Sequence, residues 1–380
     1  MLVPFGDLKT HYANYKKQLD TAVHRVLESG HFILGPELER FERDFEEFLK
    51  TGYVAGCASG TEAIYLALAA AGVAAGDEVL VVAHTAVPTI NAISMTGATP
   101  VFVDIDSATC LMDVEDLQQR ITAKSKAIVP VHLYGQMVPM EPLMKIAQKH
   151  NLKVIEDCAQ ATGATQNGVV AGNTGDFGTF SFYPSKNLGA FGDGGAVSTR
   201  SRENYDLLVK LRNYGQSKRY YHDIVGINSR LDEMQAAILS AQIPFVAEWN
   251  ERRREIAARY TAGLHDVVQT PVEGECNKHV YHLYVIQSGS RDALQSYLLE
   301  NRIQTLIHYP IPAHLQNAYS SLGWKVGDLP STERVCKRIL SLPIHQNLSD
   351  EQVDAVIEAI RSFEKQQPVS AAKFKQVAKA

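Results

Sequence analysis

The sequence has little cysteine, and none of it is spaced to bind a metal or to act as a redox pair. Its five cysteines are scattered and odd in number: Cys57, Cys110, Cys158, Cys276 and Cys336. Such a set is typical of free thiols in a reducing compartment and excludes a disulfide framework or a CxxC zinc site. Because cysteine is among the most often buried residues, we interpret Cys158 as a packing residue and not as a nucleophile. We expect no metal.

Long apolar runs and a basic excess are also missing. No run approaches the roughly twenty apolar residues of a membrane span, and the start of the chain lacks the charged-then-apolar pattern of a secretory signal. The formal net charge of -5 argues against a general nucleic-acid binder, which normally carries a basic stripe. We therefore expect a cytoplasmic protein that acts on a small molecule, with no nucleic-acid or membrane partner.

The pattern that is present, from about residue 35 to residue 245, is an alternation of helices and strands without a repeat period. The predicted helices are Glu62 to Ala71 and Met140 to His150, and the predicted strands are Glu78 to Val82, Thr99 to Val103 and Lys153 to Ile155. This alternation is the signature of an α/β fold with a mostly parallel central sheet covered by helices. Catalytic loops are expected at one edge of that sheet.

A chain of 380 residues with ordinary apolar content is long enough for two domains. After Ile243-Pro244 the pattern changes to a long charged helix, Trp249 to Tyr260, followed by a strand, Tyr281 to Ile286, and a helix, Arg291 to Glu300. We predict a large ligand-binding domain at 1–245, a smaller C-terminal α+β domain at 246–366, and a loose tail at 367–380.

Lys186 is the residue most indicative of function. It lies between the alternating, strand-like segment 179–183 and a glycine turn at Gly189. Because burial disfavours the ammonium form, a lysine held there becomes a nucleophilic amine that condenses with aldehydes. Asp157, about thirty residues earlier at the end of the apolar run 152–155, is the type of residue that pairs with a pyridinium nitrogen. Together they predict a pyridoxal phosphate site, and an ordinary solvated lysine is the alternative.

A third feature precedes the alanine-rich helix. Ser59 or Thr61 can cap this helix, and Gly60 lets the backbone approach a ligand closely. Free amides and the helix dipole at such a terminus can hold a phosphate. Alone, this segment indicates only a capped helix, but beside Lys186 and Asp157 it favours a phosphate site.

Four segments in this order closely resemble the DegT/DnrJ/EryC1/StrS aminotransferases, over nearly the whole chain. They are 59–63 (SGTEA), 156–161 (EDCAQA), 180–189 (FSFYPSKNLG) with 192–195 (GDGG), and 228–237 (NSRLDEMQAA). The resemblance implies the aspartate aminotransferase fold (fold type I), pyridoxal 5'-phosphate as cofactor, and transfer of an amino group to a nucleotide-linked keto-sugar. L-glutamate is the usual donor in this family.

The resemblance also implies roles for individual residues. Lys186 resembles the lysine that bonds covalently to the cofactor and then moves the substrate proton. Asp157 resembles the partner of the pyridine nitrogen, and Gln160 the neighbour of the ring hydroxyl. The phosphate ligands implied are Gly60, Thr61, Ser181 and Asn228. Asn228 is similar to a family asparagine that reaches the neighbouring subunit, which implies a homodimer with shared active sites.

One position departs from the family. Members often place an aromatic ring over the pyridine directly after a threonine, and here the segment 83–88 (AHTAVP) puts Ala86 at that position. Stacking is then absent or comes from His84, which is otherwise an ordinary loop histidine. We list His84 among the expected cofactor contacts.

Two further segments, 307–315 (IHYPIPAHL) and 219–222 (RYYH), resemble members that act on 3-keto-6-deoxy sugars linked to a nucleotide. Their side chains can bond sugar hydroxyls and diphosphate oxygens. The substrate contacts expected from these two segments are Arg219, Tyr221, His222, His308, Tyr309 and His314. Tyr183, three residues before Lys186, is also expected to contact the substrate. Arg230 either neutralises the diphosphate or pairs with Asp232 or Glu233.

The function predicted is amination at C3 of a dTDP-3-keto-6-deoxyhexose in amino-sugar biosynthesis, for example toward an O-antigen or other polysaccharide. Amination at C4 of a 4-keto-hexose is the alternative within this class. A non-catalytic regulatory protein that binds pyridoxal phosphate is the alternative of another class. A sugar dehydratase of this fold is expected to replace the lysine with histidine, and a desulfurase needs a loop cysteine, so Lys186 and the cysteine positions argue against both.

Overall fold

The computed structural model describes residues 1–366, so the predicted tail at 367–380 lies outside the described residues. The helices are α1 Leu8–Ser29, α2 Pro36–Leu49, α3 Gly60–Ala70, α4 Val87–Met95, α5 Val114–Gln119, α6 Met140–His150, α7 Arg202–Leu211, α8 Glu233–Gln242, α9 Val246–Leu264, α10 Arg291–Glu300, α11 Pro330–Cys336 and α12 Asp350–Gln366. The strands are β1 Tyr53–Cys57, β2 Glu78–Val82, β3 Thr99–Val103, β4 Ser125–Val129, β5 Lys153–Asp157, β6 Thr165–Gln166, β7 Val169–Val170, β8 Phe177–Ser181, β9 Gly195–Thr199, β10 Gln216–Lys218, β11 Tyr221–His222, β12 Asn277–Lys278, β13 Tyr284–Gln287 and β14 Ile339–Leu342.

A seven-stranded sheet forms the centre, with strand order β1-β9-β8-β5-β4-β2-β3. Strands β3, β2, β4, β5 and β8 pair in parallel, and β9 runs antiparallel between β8 and β1. Helices cover both faces of a parallel sheet, so strands such as β2 (EVLVV) are apolar almost throughout. The prediction of an α/β fold with a mostly parallel sheet is confirmed.

Within residues 1–366, two large clusters of buried side chains make up most of the core, beside a small one of Ala22, Val26 and Ala237. One packs the central sheet against its helices. The other joins Val3 to the second half of α9, β13, β14, α10 and α12. Helix α9 contributes Val246 and Trp249 to the first cluster and Ile256 and Leu264 to the second, so it connects the two cores. The boundary at residues 245–246 stays a prediction.

The sheet topology places the candidate residues together. Strands β5 and β8 are parallel neighbours, so their carboxyl ends, Asp157 and Ser181, meet at the same sheet edge. The loops after β1 and β2 lead into α3 and α4 at this edge as well. The fold therefore brings four distant segments of the chain to one place.

No helix within residues 1–366 is long and apolar enough to cross a membrane.

Candidate active site

A cavity of about 320 Å³ lies at this sheet edge, and we call it the sheet-edge cavity. Its walls include residues from the loops after β1, β2, β5 and β8, and from the segment 308–309. The predicted residues that line it are Gly60, Thr61, Asp157, Gln160, Ser181, Tyr183, Lys186, His308 and Tyr309. The structure thus places these nine around one space.

Lys186 lies at the wall of the cavity, in the turn after β8. Its backbone N–H donates to the carbonyl of Tyr183 at 2.8 Å, which closes the turn. The next residue, Asn187, is buried and donates to Asn250 Oδ1 and Val280 O at 2.7 and 3.0 Å, which anchors the turn to α9 and to the segment before β13. Lys186 Nζ has no hydrogen bond or ion pair with any residue of 1–366. Its position is therefore set by the backbone, while its amine is left free to react.

The surroundings of Lys186 favour the neutral amine. Burial lowers its pKa to about 8, although the Asp157 carboxylate acts in the opposite direction. His282 and His308 also line the cavity, and burial lowers the pKa of both, for His308 to about 4. Both histidines are therefore neutral near pH 7, so neither adds positive charge beside the amine.

The carboxylate of Asp157 is held in one orientation. Its Oδ1 accepts the N–H of Ala159 at 3.0 Å and its Oδ2 accepts the hydroxyl of Thr89 at 2.8 Å. The side chain is buried, yet it lines the cavity. The sequence alone does not indicate Thr89, because a threonine in the first turn of a helix carries no signal of such a contact.

Gln160 connects the backbone at Tyr134 to the side chain of Tyr309. Its Oε1 accepts the backbone N–H of Tyr134 at 2.7 Å, and its Nε2 donates to the hydroxyl of Tyr309 at 3.1 Å. Burial raises the pKa of Tyr309 to about 12, so this hydroxyl stays protonated and can donate a further hydrogen bond. Gln160 and Tyr309 thus form one polar unit at the cavity wall.

The start of α3 offers donors for an anion. Ser59 caps the helix by accepting the N–H of Glu62 at 3.2 Å. A Cβ added to Gly60 would lie 2.5 Å from the Ser181 Cβ, so only glycine allows this close approach of helix and strand. The hydroxyls of Thr61 and Ser181 then stand beside the first amides of an eleven-residue helix. Such a set of donors suits a phosphate.

Two predicted contacts require correction. His84 does not line the cavity: its ring is fully buried, with Nε2 bonded to the Tyr134 hydroxyl at 2.7 Å and Nδ1 3.3 Å from Cys336 Sγ. His314 does not line it either, because its buried ring packs near Phe102 and Trp324, with Nε2 3.2 Å from Glu333. Both histidines fill the interior, where packing and hydrogen bonds to buried side chains hold them.

The position expected to carry a stacking ring is Ala86, which does line the cavity at the start of α4. With His84 turned into the core, no aromatic side chain of the segment 83–88 reaches the cavity.

The remaining predicted residues lie in the β10–β11 hairpin or in the segment that follows it. Arg219, Tyr221 and His222 are exposed in or beside the β10–β11 hairpin, and Asn228 is exposed where its backbone bridges Asn213. None of the four lines the sheet-edge cavity of its own chain. Arg230 donates to Asn213 Oδ1 at 3.2 Å and lies over the Tyr214 ring, so it makes no ion pair with Asp232 or Glu233.

Glu156, which the sequence analysis gave no role, supports the strand end that carries Asp157. It is fully buried and accepts the N–H groups of Gly172, Thr174 and Gly175 at 2.7–3.0 Å, with His132 Nε2 at 2.9 Å. Burial alone would raise the pKa of Glu156, but these hydrogen bonds outweigh it and lower the pKa below its ordinary 4.5. A buried carboxylate thus holds the loop at 172–175 against β5.

This arrangement predicts an acid-sensitive contribution to stability. A carboxyl group with a lowered folded-state pKa stabilises the protein above its ordinary pKa, 4.5, and this contribution is lost as the pH falls below that value. We expect Glu156→Gln to lower the free energy of unfolding by about 3 kcal/mol at pH 7 and by less near pH 4. Urea unfolding at both pH values measures this, with Glu141→Gln, at an exposed site, as the control. A Glu156→Gln loss that does not change with pH would contradict the assignment.

The fold and site together define a class. The site combines a lysine in the turn after one strand, a buried aspartate at the end of the parallel neighbouring strand, and the start of a helix that suits a phosphate. On a mostly parallel sheet, this combination is the fold type I architecture of pyridoxal phosphate enzymes. The family model of the DegT/DnrJ/EryC1/StrS aminotransferase family matches residues 14–361. The chain belongs to this family.

Two curated relatives are similar over almost their whole length. The dTDP-3-amino-3,6-dideoxy-alpha-D-galactopyranose transaminase of Aneurinibacillus thermoaerophilus is 46% identical, covering 95% of this chain and 99% of the relative. The Pleiotropic regulatory protein of Geobacillus stearothermophilus is 45% identical, covering 96% and 99%. The names of these relatives thus include both an enzyme and a regulator.

Solved structures agree with the fold. DesV of S. venezuelae, in complex with a ketimine intermediate, is 42% identical with a TM-score of 0.95, covering 97% of this chain and 100% of that one. The putative sugar aminotransferase Spr1654 of Streptococcus pneumoniae, in a PLP form, is 28% identical with a TM-score of 0.87, covering 92% and 96%. Structures of this kind with the cofactor are therefore known.

Proposed function

We propose that this protein uses pyridoxal phosphate to transfer an amino group from L-glutamate to C3 of a dTDP-linked 3-keto-6-deoxyhexose. The observation that carries the proposal is that Lys186 and Asp157 line one cavity beside a phosphate-type helix start. The name of the transaminase relative, which is 46% identical, supports the sugar class and the C3 position.

The residues of the cavity fit the cofactor. Lys186 offers a free amine, Asp157 an oriented carboxylate for the pyridine nitrogen, and Gly60, Thr61 and Ser181 offer donors for the phosphate. Gln160 would stand beside the ring hydroxyl. When bound, pyridoxal phosphate supplies a ring that accepts the electron pair left by loss of the α-proton of an amino acid.

The chain's own residues would then control the proton. The Asp157 carboxylate would favour a protonated pyridine nitrogen, which strengthens electron withdrawal. Lys186 Nζ would accept the proton from the α-carbon of the bound amino-acid donor and would give up a proton later in the same half-reaction, and the reverse order would deliver the amine to the keto-sugar. A pKa of about 8 suits both directions, because the amine can gain and lose a proton near neutral pH.

The lowered pKa of Lys186 predicts a pH profile. With a pKa of about 8, about 10% of the amine is neutral at pH 7, against about 0.03% for an ordinary lysine. We expect the initial rate at which cofactor-free protein binds pyridoxal phosphate to rise about fivefold from pH 7 to pH 8 and to level off above pH 9. Stopped-flow absorbance measures this, with N-α-acetyl-lysine as the control. A rate that still rises more than fivefold from pH 9 to pH 10, as for an ordinary lysine, would contradict the lowered pKa.

The close packing around Gly60 predicts that a larger residue at this position weakens cofactor binding. Because a Cβ there would lie 2.5 Å from the Ser181 Cβ, Gly60→Ala must displace the helix start that holds the phosphate. We expect the dissociation constant of pyridoxal phosphate to rise about tenfold, as for the loss of one charge-assisted hydrogen bond. Fluorescence titration measures it, and Gly289→Ala, at a glycine with open space around it, is the control. Equal affinity in both variants would place the phosphate elsewhere.

We further propose a homodimer in which the exposed hairpin of one subunit contributes to the cavity of the other. Asn228 would reach the phosphate, and Arg219, Tyr221 and His222 would bind the nucleotide sugar. The exposure of these four residues, and the exposure of Tyr220 and Val225 at 77% and 94%, supports a surface that another chain covers. Tyr183, His308 and Tyr309 would contact the sugar from within the same chain, since all three line the cavity.

The experiment that tests the function follows the reaction in two halves. The protein loaded with pyridoxal phosphate is mixed with L-glutamate, and loss of the cofactor absorbance with release of 2-oxoglutarate indicates the first half. The aminated form is then mixed with a dTDP-linked 3-keto-sugar and, separately, a 4-keto-sugar, and NMR of the product locates the amine. Amination at C4 would overturn the regiochemistry, and cofactor binding without turnover would favour the regulatory alternative that one relative's name suggests.

A further inference from the structure

A second cavity, of about 450 Å³, adjoins the first and is lined in part by α1, α9 and the segment 344–347. We call it the Arg253 cavity. The two cavities share Tyr183, Ser185, Lys186, His282 and His308 as lining residues. A molecule whose amine reacts near Lys186 can therefore extend into the Arg253 cavity.

Arg253 is a buried cation without an anion. Its side chain is only 5% exposed, and its Nη1 donates to the carbonyl oxygens of Tyr281, His282 and Ile344 at 3.2, 3.4 and 2.9 Å. Its Nε is buried without an acceptor. No carboxylate of residues 1–366 forms an ion pair with it. Burial lowers its pKa to about 10, so the guanidinium is still charged at neutral pH.

The arginines on either side of Arg253 in α9 both have an anionic partner. Arg252 pairs with Asp350 at 2.7 Å, and Arg254 pairs with Glu273 at 2.6 Å, although both are more exposed. Because a buried charge is costly unless it is paired, the least exposed of the three arginines is the one that most needs an anion. Carbonyl dipoles lower that cost in part, but they leave the charge uncompensated.

The rest of the cavity can assist an anion. His345 is only 7% exposed, and neither ring nitrogen makes a hydrogen bond of good geometry. Burial lowers its pKa to about 4, so the ring is neutral near pH 7 and can offer one N–H donor. His11 is held between Gln242 and Gln346 at 2.7 and 3.0 Å. Asp7 is the one carboxylate among the lining residues, and its Oδ1 is engaged in capping α1.

We propose that the Arg253 cavity receives a carboxylate of the amino-acid donor, with Arg253 as its charged partner and His345 as a second hydrogen-bonding group. This inference rests on the proposed function, because it assigns the donor subsite of the same reaction. One guanidinium matches the single charge of a carboxylate, and the continuity with Lys186 suits an amino acid whose amine must reach that residue. Arg253 is thus a residue that determines donor specificity.

The test uses glutarate, a dicarboxylate without an amine, so that binding is measured without reaction. Calorimetric titration of the full chain, with and without pyridoxal phosphate, compares the parent with Arg253→Gln, His345→Leu and the matched control Arg252→Gln. We expect glutarate to bind the parent and the control alike. We expect about tenfold weaker binding or more in Arg253→Gln, and about threefold weaker or more in His345→Leu.

Each outcome decides the inference. No glutarate binding to the parent, or equal binding to the parent, Arg253→Gln and His345→Leu, would overturn it. If Arg253→Gln does not fold, His345→Leu alone decides by the same criterion. Nucleoside diphosphate binding that depends on Arg253 while glutarate binding does not would overturn it in favour of the sugar substrate. Failure of glutamate to change the cofactor absorbance of the parent, with glutarate still bound through Arg253, would instead count against the proposed function.

Discussion

Lys186→Ala is expected to abolish turnover, with a loss in kcat of about 10⁴-fold or more. The reason is that in the proposed mechanism this one amine serves as nucleophile toward the cofactor and as the acid and base for the substrate proton. No other lysine of residues 1–366 lines the sheet-edge cavity. The measurement is steady-state release of 2-oxoglutarate from L-glutamate with the keto-sugar present. The absorbance band of covalently bound pyridoxal phosphate should also be missing from the variant.

The control for this prediction is Lys145→Ala, since Lys145 is exposed on α6 and pairs only with Glu141. It should keep the parent's activity and spectrum. Turnover by Lys186→Ala within tenfold of the parent would show that another group moves the proton, and the proposed mechanism would then be wrong.

Asp157→Asn is expected to reduce kcat by about 10²–10³-fold while the protein still binds pyridoxal phosphate. An amide has the same shape but no charge, so it no longer favours a protonated pyridine nitrogen, and the ring withdraws electrons less strongly. The amide oxygen can still accept the N–H of Ala159, and the Thr89 hydroxyl can turn to accept from the amide nitrogen, so the fold should be kept. Glutamate-driven loss of the cofactor absorbance, measured by stopped flow, isolates the affected step.

Two comparisons sharpen this prediction. Thr89→Val removes the hydroxyl that orients Asp157, and it should give a smaller loss in the same step without removing the charge. Asp206→Asn, at an exposed carboxylate on α7, should change nothing. If Asp157→Asn retained the parent's rate, the pyridine nitrogen would not depend on this carboxylate.

Much of the fold could be predicted from local pattern. The strands Glu78–Val82 and Thr99–Val103 and the helices Met140–His150 and Arg291–Glu300 have the predicted bounds. A strand buried on both faces is recognised from its short apolar run, and an amphipathic helix from its apolar spacing, so both can be predicted from a few neighbouring residues. The prediction of a strand at Tyr281 to Ile286 was less accurate: the strand is Tyr284–Gln287, because residues 280–283 instead bond to Tyr134, Gly135 and Asn187.

The histidines show where local pattern fails. His84 and His308 both follow apolar segments, yet His84 is turned into the core by Tyr134 and Cys336, while His308 lines both cavities. The partners of His84 lie 50 and 252 residues away along the chain. A sequence pattern does not encode which distant side chain will meet a given ring, so the two roles could not be told apart.

By itself, the sequence determined the class of fold, a mostly parallel sheet covered by helices, and indicated Lys186 and Asp157 as the candidate pair. Residues at the ends of parallel neighbouring strands must share one edge, and the composition around them indicates a buried amine. Only the tertiary structure decided which histidines face the cavity, that Thr89 orients Asp157, and that Arg253 is buried without an anion. These features depend on contacts between segments far apart in the chain, where burial and charge pairing are set by the packing of the whole molecule.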